Sequence, residues 1–331
     1  MLRTVSFAAA ALCFALPALA APLVIYSPQG GDRGQWIADQ ARAAGHDVSI
    51  LNAGGGELFD RLLAERNNPQ ADIVMGLVDG SMALLKKEGL FAAYSPAWAA
   101  DLPEQFNDPD AMVHKFWQTP IVISYNSDAL SADDAPKSWL DLAKPEYQGK
   151  YTIGDLAWQT TRVYLAGMLV RFADENGTIS DEGWQFMRDF FANGVEIRDD
   201  EGKTQAFRNE GAVIDLNWMG GAFRHAAAMD YTPVIVDTEG GTPVIAEGIA
   251  IMAGSKQQDA AQAFVDWWGS EETMTAYANQ FNQIPALPAA LAASPAEVQA
   301  QANMVHPQPI DWDIVAPQLD GWLQTIELDI R

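Results

Sequence analysis

The chain has 331 residues, 49% of them hydrophobic, enough to build a large core divided between two lobes of ordinary domain size. Against 20 basic residues stand 44 acidic ones, and the formal net charge of −24 argues against a nucleic-acid or membrane-surface role, because phosphate backbones and anionic lipids repel such a surface. The one cysteine, Cys13, falls within the first twenty residues, so the rest of the chain offers no disulfide and no thiolate metal site.

Residues 1–20 read as an export signal: Arg3 supplies the positive start, "VSFAAAALCFAL" the apolar stretch and Ala18-Leu19-Ala20 the small-x-small cleavage site. The mature chain is expected to begin near Ala21, outside the cytoplasm. Nothing after it approaches 18 uninterrupted apolar residues, so a soluble protein is expected.

From there strand and helix alternate three times. "LVIYS" ends in the turn Pro28-Gln29-Gly30-Gly31 and is followed by the helical "GQWIADQARAAG". "DVSILNA" then leads through Gly54, Gly55 and Gly56 into "GELFDRLLAERNN", and "ADIVMG" leads into "SMALLKKEG". This order predicts a doubly wound α/β lobe with a mostly parallel sheet, whose ligands bind beyond the carboxyl ends of the strands. The three glycines fall at such an end. Unpaired N–H groups at a helix start can bind an anionic or carbonyl group that approaches closely, and a Cβ would obstruct it. A tight turn with close strand–helix packing explains the same glycines equally well. No phosphate-loop lysine follows them, which removes a nucleotide hydrolase.

From about Phe116 the texture changes. "FWQTPIVISYNSDAL" reads as a long extended crossing, a second α/β lobe is expected over residues 125–236, and "GTPVIAEGIAIMAG" reads as the crossing back. The expected organisation is 1–20 signal, 21–124 first lobe, 125–236 second lobe, and 237–331 a return to the first lobe with the C-terminal helices. Two lobes joined by extended crossings place a cleft between them.

The segments "GGGELFDRLLAERNNPQADIVMG", "SWLDLAKPEYQGKY", "EGIAIMAGSKQQDAAQAFVDWWGSEE" and "IDWDIVAPQLDGWL" resemble extracellular solute-binding proteins of ABC importers. The similar group includes ferric-ion, sugar-phosphate and aminoethylphosphonate binders, with thiamine and polyamine binders as cousins. The resemblance implies a two-lobed periplasmic-binding-protein fold of type II, each lobe a doubly wound sheet. It further implies a monomer that closes about its hinge on a small-molecule solute and delivers it to an inner-membrane permease, with no cofactor, no nucleic acid and no catalysis. Closure requires ligand contacts from both lobes, since only contacts that differ between open and closed states shift the population.

In the first lobe, candidate contacts are Tyr26, Ser27, Gln29 and Gly30 after the first strand and Gly54, Gly55 and Gly56 after the second. Leu77, Val78 and Asp79 occupy what the resemblance implies is the next ligand-facing loop. Ser27 and Gln29 also suit a turn that satisfies its own backbone. In the second lobe, Trp158, Gln159, Thr160, Thr161 and Arg162 stand where similar proteins carry a Ser-Gly-Thr helix start that holds the ligand's anionic end. Arg162 is a candidate fork onto a phosphonate, phosphate or carboxylate, or else one half of a surface ion pair. Asp215, Asn217 and Trp218 close another strand, and Trp158 and Trp218 offer faces for a ring or an alkylammonium group. Glu247, on the returning crossing, is the acidic residue singled out as a hydrogen-bond acceptor.

A metal cargo is disfavoured, because "LNWMGGAF" lacks the adjacent tyrosines of ferric-ion binders and His46, His114, His225 and His306 lack ligand spacing; Tyr26 keeps that option open. The expected cargo is a small polar organic anion, with a thiamine-like or polyamine cation held by Trp158, Trp218, Asp215 and Glu247 as the competing reading. A secreted hydrolase is the competing class, but no Gly-x-Ser-x-Gly elbow or His-Glu-x-x-His is present.

Overall fold

The computed structural model describes residues 21–209 and 211–331. The export signal expected over residues 1–20 lies outside them. The three strand–helix units near the start form as β1 (Leu23–Ser27), α1 (Gly31–Ala43), β2 (Val48–Asn52), α2 (Gly55–Ala64), β3 (Ile73–Val78) and α3 (Asp79–Lys87). β1 lies between β2 and β3 and runs parallel to both, so its apolar side chains are covered on both faces by helices. A short β4 (Phe91–Ala92) follows, and then the 13-residue β5 (His114–Asn126).

The next segment forms β6 (Thr152–Ile153), α4 (Gln159–Leu169), α5 (Asp181–Asn193), β7 (Val195–Glu196), α6 (Asp200–Asn209), β8 (Ile214–Trp218), α7 (Met219–Ala228) and β9 (Pro233–Ile235). The chain returns as β10 (Val244–Met252) and ends with α8 (Gln258–Trp268), α9 (Glu271–Phe281), β11 (Ile284–Pro285), α10 (Pro288–Ala293), α11 (Ala296–Ala302) and α12 (Trp312–Thr325).

β5 is shared between two sheets. Its first half, His114–Pro120, pairs antiparallel with β10, which in turn pairs antiparallel with β3 and completes the first lobe's sheet. Its second half pairs antiparallel with β8 and β9 in the second lobe. β10 shifts register on both of its edges around Gly248, against β5 between Glu247 and Gly248 and against β3 between Gly248 and Ile249. A bulge at that point bends the strand where it passes between its partners.

Each lobe has its own core. Ile25, Ile73, Phe116, Phe264 and Trp268 are among the buried residues on one side of the first sheet, and Tyr26, Leu58, Leu62 and Met82 pack on the other. Trp139, Tyr151, Tyr164, Met187 and Phe190 fill the second lobe. α12, expected with the first lobe, instead packs into the second lobe's core through Val315, Leu319, Trp322 and Leu323. These positions form one apolar stripe at helical spacing. Its first turn still reaches the first lobe, where Asp313 meets Lys86 of α3 at 2.8 Å and Trp312 packs beside Gly80. Among the described residues, no helix is long and apolar enough to cross a membrane.

Candidate functional site

A cavity of about 550 Å³ opens in the second lobe where the starts of α4, α6 and α7 converge. Its size suits a small organic ligand. Trp158, Thr160 and Thr161 enter it from α4; Asp199, Asp200, Lys203 and Thr204 from α6; Asn217, Trp218, Arg224 and His225 from the end of β8 and from α7. The N-caps of α4 and α7 are Trp158 and Trp218, neither of which makes a capping hydrogen bond. An indole has no oxygen to accept from first-turn amides, so those N–H groups and the positive end of each helix dipole remain available to a ligand. α6 differs: Asp199 accepts from the Gly202 amide at 2.7 Å and caps it internally.

Beneath the cavity lies a buried charge cluster. Lys203 Nζ donates to Asp215 Oδ1 at 2.7 Å, Asn217 Nδ2 donates to Asp215 Oδ2 at 3.1 Å, and His225 Nδ1 stands 3.2 Å from the same Oδ2. Burial alone would push the Asp215 carboxyl up; Lys203 and His225 outweigh it and hold the group at about 2. Asp215 is thus an internal anion already matched, not a free acceptor. Of the three ammonium donors of Lys203, one is used this way. Arg198 and Arg224, both lining the cavity, have no carboxylate partner among the described residues, and Arg224 Cζ sits 5.0 Å from the centroid of the Trp218 ring.

Trp158, Thr160, Thr161, Asn217 and Trp218 are brought together here, and Gln159 is the first helical residue beside them. Arg162 is not in the lining. Its guanidinium pairs with Asp320 of α12, the surface ion pair that was the competing reading. Arg198, Lys203, Arg224 and His225 were not expected. The usable signals were the acidic helix start "DDEGK" and the cations that follow Gly220-Gly221 in "GGAFRH".

The first-lobe candidates line no part of this cavity. Tyr26 is 1% exposed, donates its hydroxyl to Glu65 at 3.0 Å and packs under Arg61, whose Cζ is 4.9 Å from the ring centroid. Burial and the hydrogen bond to Glu65 push that phenol up, so it is a poor source of a phenolate for a metal ion. Ser27 is buried and accepts from the Gln29 amide at 3.1 Å, the turn role of the competing reading. Gln29 Nε2 donates to Glu247 Oε2 at 2.7 Å. Asp79 is buried, accepts from the Ala246 amide at 2.7 Å and pairs with Lys115, while Val78 lies in register with Glu247. Gly30 has a purely internal explanation, because a Cβ there would stand 2.5 Å from Asn52 Oδ1.

The three glycines at α2 behave differently. A Cβ at Gly54 or Gly56 would meet nothing within 4 Å, and one at Gly55 would only touch Leu77 at 3.7 Å. Gly54, the N-cap, has an ordinary φ of −60°. Neither backbone strain nor close packing requires glycine here, which leaves the uncapped start of α2 bare for no internal reason.

The profile of the bacterial extracellular solute-binding protein family matches residues 68–316. A probable ABC transporter periplasmic-binding protein of Sinorhizobium fredii, y4fP, is 62% identical over 328 residues, covering 98% of this chain and 92% of that one. A putative 2-aminoethylphosphonate-binding periplasmic protein of Salmonella typhimurium is 26% identical over 243 residues, covering 71% of this chain and 68% of its own. Among solved structures, Trichodesmium IdiA (FutA) in complex with iron and citrate superposes with a TM-score of 0.78 at 16% identity, over 94% of this chain and all of the other (100%), a likeness of fold. With the family profile over most of its length and a relative so similar along nearly all of it, the chain belongs to the bacterial extracellular solute-binding protein family.

Proposed function

We propose that this protein is the periplasmic component of an ABC importer and that its cargo is a small organic molecule bearing a phosphate, phosphonate or carboxylate group. The observation that carries the reading is the second-lobe cavity, where two helix N-termini without capping side chains converge with Arg198, Arg224 and Lys203. Uncapped amides and guanidinium forks are the donors that an oxyanion accepts from most strongly. The aminoethylphosphonate-binding relative supports the same ligand chemistry.

In this reading the solute binds first to the second lobe. Hinge bending at β5 and β10 then brings the bare start of α2 onto its far side, and the closed form is what an inner-membrane permease recognises. Closure follows because the first lobe adds contacts that exist only when the lobes meet. The cationic-cargo reading loses both of its carboxylates: Asp215 is neutralised by Lys203, and Glu247 lies in the first lobe, hydrogen-bonded to Gln29.

Native mass spectrometry of protein purified without refolding, followed by thermal-shift measurement with added solutes, tests the reading. Inorganic phosphate, methylphosphonate and 2-aminoethylphosphonate form the anionic set, thiamine and spermidine the cationic set, and ferric citrate the metal arm. Stabilisation by members of the anionic set, with the solute recovered unchanged, is expected. Stabilisation only by a cation or by ferric citrate, or turnover of the solute, overturns it.

A further inference from the structure

We propose, with the anion reading above as premise, that the cargo carries a ring and that Trp218 is the surface on which this ring rests, the ring's anionic substituent reaching Arg224 and Lys203. Both cavity-lining indoles are seated in notches that only glycine leaves. A Cβ at Gly221 would stand 2.6 Å from Nε1 of Trp218, and one at Gly220 would overlap Cζ3 of the same ring. At Gly154 a Cβ would stand 2.7 Å from Cε3 of Trp158. Each indole therefore lies directly against backbone, which fixes its position more firmly than contact with mobile side chains would.

So held, Trp218 lines the cavity and remains 36% exposed, which leaves part of its ring open to a ligand. Its position at the N-cap of α7 makes the choice more telling. Ser, Thr, Asn or Asp there would stabilise the helix by capping it, and the sequence forgoes that at two of the three helix starts around the cavity. A fixed, exposed indole bordering a polar cavity is the surface on which a ring stacks or buries its apolar face.

The ionic half of the ligand site adjoins the aromatic half. Arg224 packs on the Trp218 ring at 5.0 Å, which holds the guanidinium beside the indole while its donors stay uncommitted to any carboxylate among the described residues. Lys203 has two of its three donors uncommitted to Asp215. His225, nine-tenths buried in the same wall, has Nδ1 3.2 Å from Asp215 Oδ2 and no hydrogen-bond partner at Nε2. A bare oxyanion would satisfy the cations and leave the indole in water. An organic amine would satisfy the indole and find Asp200 in the lining, but would leave the donors of Arg198, Arg224 and Lys203 unused and face their charge. A ring bearing a phosphate, phosphonate or carboxylate group satisfies both.

Calorimetric titration with methylphosphonate, phenylphosphonate and glucose 1-phosphate separates these cases. The expected result is that at least one ring-bearing probe binds wild type tenfold or more tightly than methylphosphonate does. Trp218→Ala is expected to remove that advantage, weakening the ring-bearing probe at least tenfold more than methylphosphonate, whose own loss reflects only the freed Arg224, and Trp218→Phe to restore most of it. Because the indole is partly exposed, folding of each variant is checked by its thermal melt, and quenching of wild-type tryptophan fluorescence by the ring-bearing probes gives a readout that needs no variant. Equal affinity for ringed and ringless phosphonates, or a Trp218→Ala variant that weakens all three alike, overturns the proposal while leaving the anion reading intact. Absence of binding by all three overturns both.

Discussion

Lys203, on the first turn of α6, and Asp215, the second residue of β8, meet at 2.7 Å where neither side chain is open to water. Both charges are stripped of solvent, so each depends on the other. Replacing Lys203 by Ala leaves the Asp215 carboxylate buried without its ammonium partner, and a loss of roughly 3–5 kcal/mol in urea unfolding is expected. Substituting both partners together, Lys203→Met with Asp215→Leu, should recover most of that stability while abolishing anion binding. The acid limb follows the same pair. A carboxyl held at about 2 in the folded protein contributes ~2 kcal/mol of stability above the ordinary aspartate range, lost as pH falls through about 2. Urea titrations between pH 5 and pH 2 should show this slope in wild type and a flatter one in Asp215→Asn.

Arg162 carries a contrary prediction. Its partner Asp320 is largely exposed, and an ion pair in water is worth little once side-chain entropy and screening are counted. Arg162→Ala should therefore change stability by less than ~1 kcal/mol. Affinity for an anionic solute should stay within about twofold. A loss of tenfold or more would place Arg162 in the closed site after all.

The contrast between Arg162 and Thr161, adjacent in sequence, shows where sequence reading stops. Strand-to-helix turns are local: apolar runs, glycines and helix starts mark them, so Trp158, Thr160, Thr161, Asn217 and Trp218 were legible as candidates at helix starts, and the fold brings them to one cavity. The reach of a guanidinium is decided by what packs nearby, and for Arg162 that is α12, 158 residues further along the chain. Lys203 is not legible in the sequence because "DEGKTQAFRN" has the charge density of a solvated helix, and only the placement of Asp215 on β8 makes its fourth residue a buried one. In the fold, the alternation from β1 to α3 was legible from period and punctuation. The apolar stripe of α12 says that one face is buried and is silent on which lobe buries it.

Glu247 gives the opposite pH signature from Asp215. It stands at the β10 bulge, and burial first, opposed by the hydrogen bond from Gln29 and the charge of Arg33, leaves its carboxyl raised to about 7. A carboxyl whose folded pKa is raised costs stability above its unfolded pKa, so the cost grows from the ordinary glutamate range up to about 7 and is constant beyond. Glu247→Gln keeps an acceptor for Gln29 and removes the charge. Its stability relative to wild type should rise by ~1–3 kcal/mol between pH 4 and pH 8, with most of the change below about 7. A difference independent of pH across that range would show that the carboxyl titrates normally.

The glycines that begin α2 supply the test of the first lobe's part in closure. At Gly54 and Gly56 a Cβ has open space and Gly54 has a backbone conformation that alanine adopts readily, so nothing in the folded chain opposes substitution. Alanine also restricts the unfolded chain, and Gly56→Ala should stabilise the protein by ~0.4–1 kcal/mol. If the bare turn meets the solute when the lobes close, the same substitution weakens binding, because each added methyl stands between the ligand and the first-turn amides. The expected result for Gly54→Ala with Gly56→Ala is a higher melting temperature together with at least tenfold weaker binding of the anionic solute. The two effects have opposite signs, so instability cannot account for the lost affinity. Unchanged affinity in the stabilised variant would confine recognition to the second lobe and remove the first lobe's amides from the clamp.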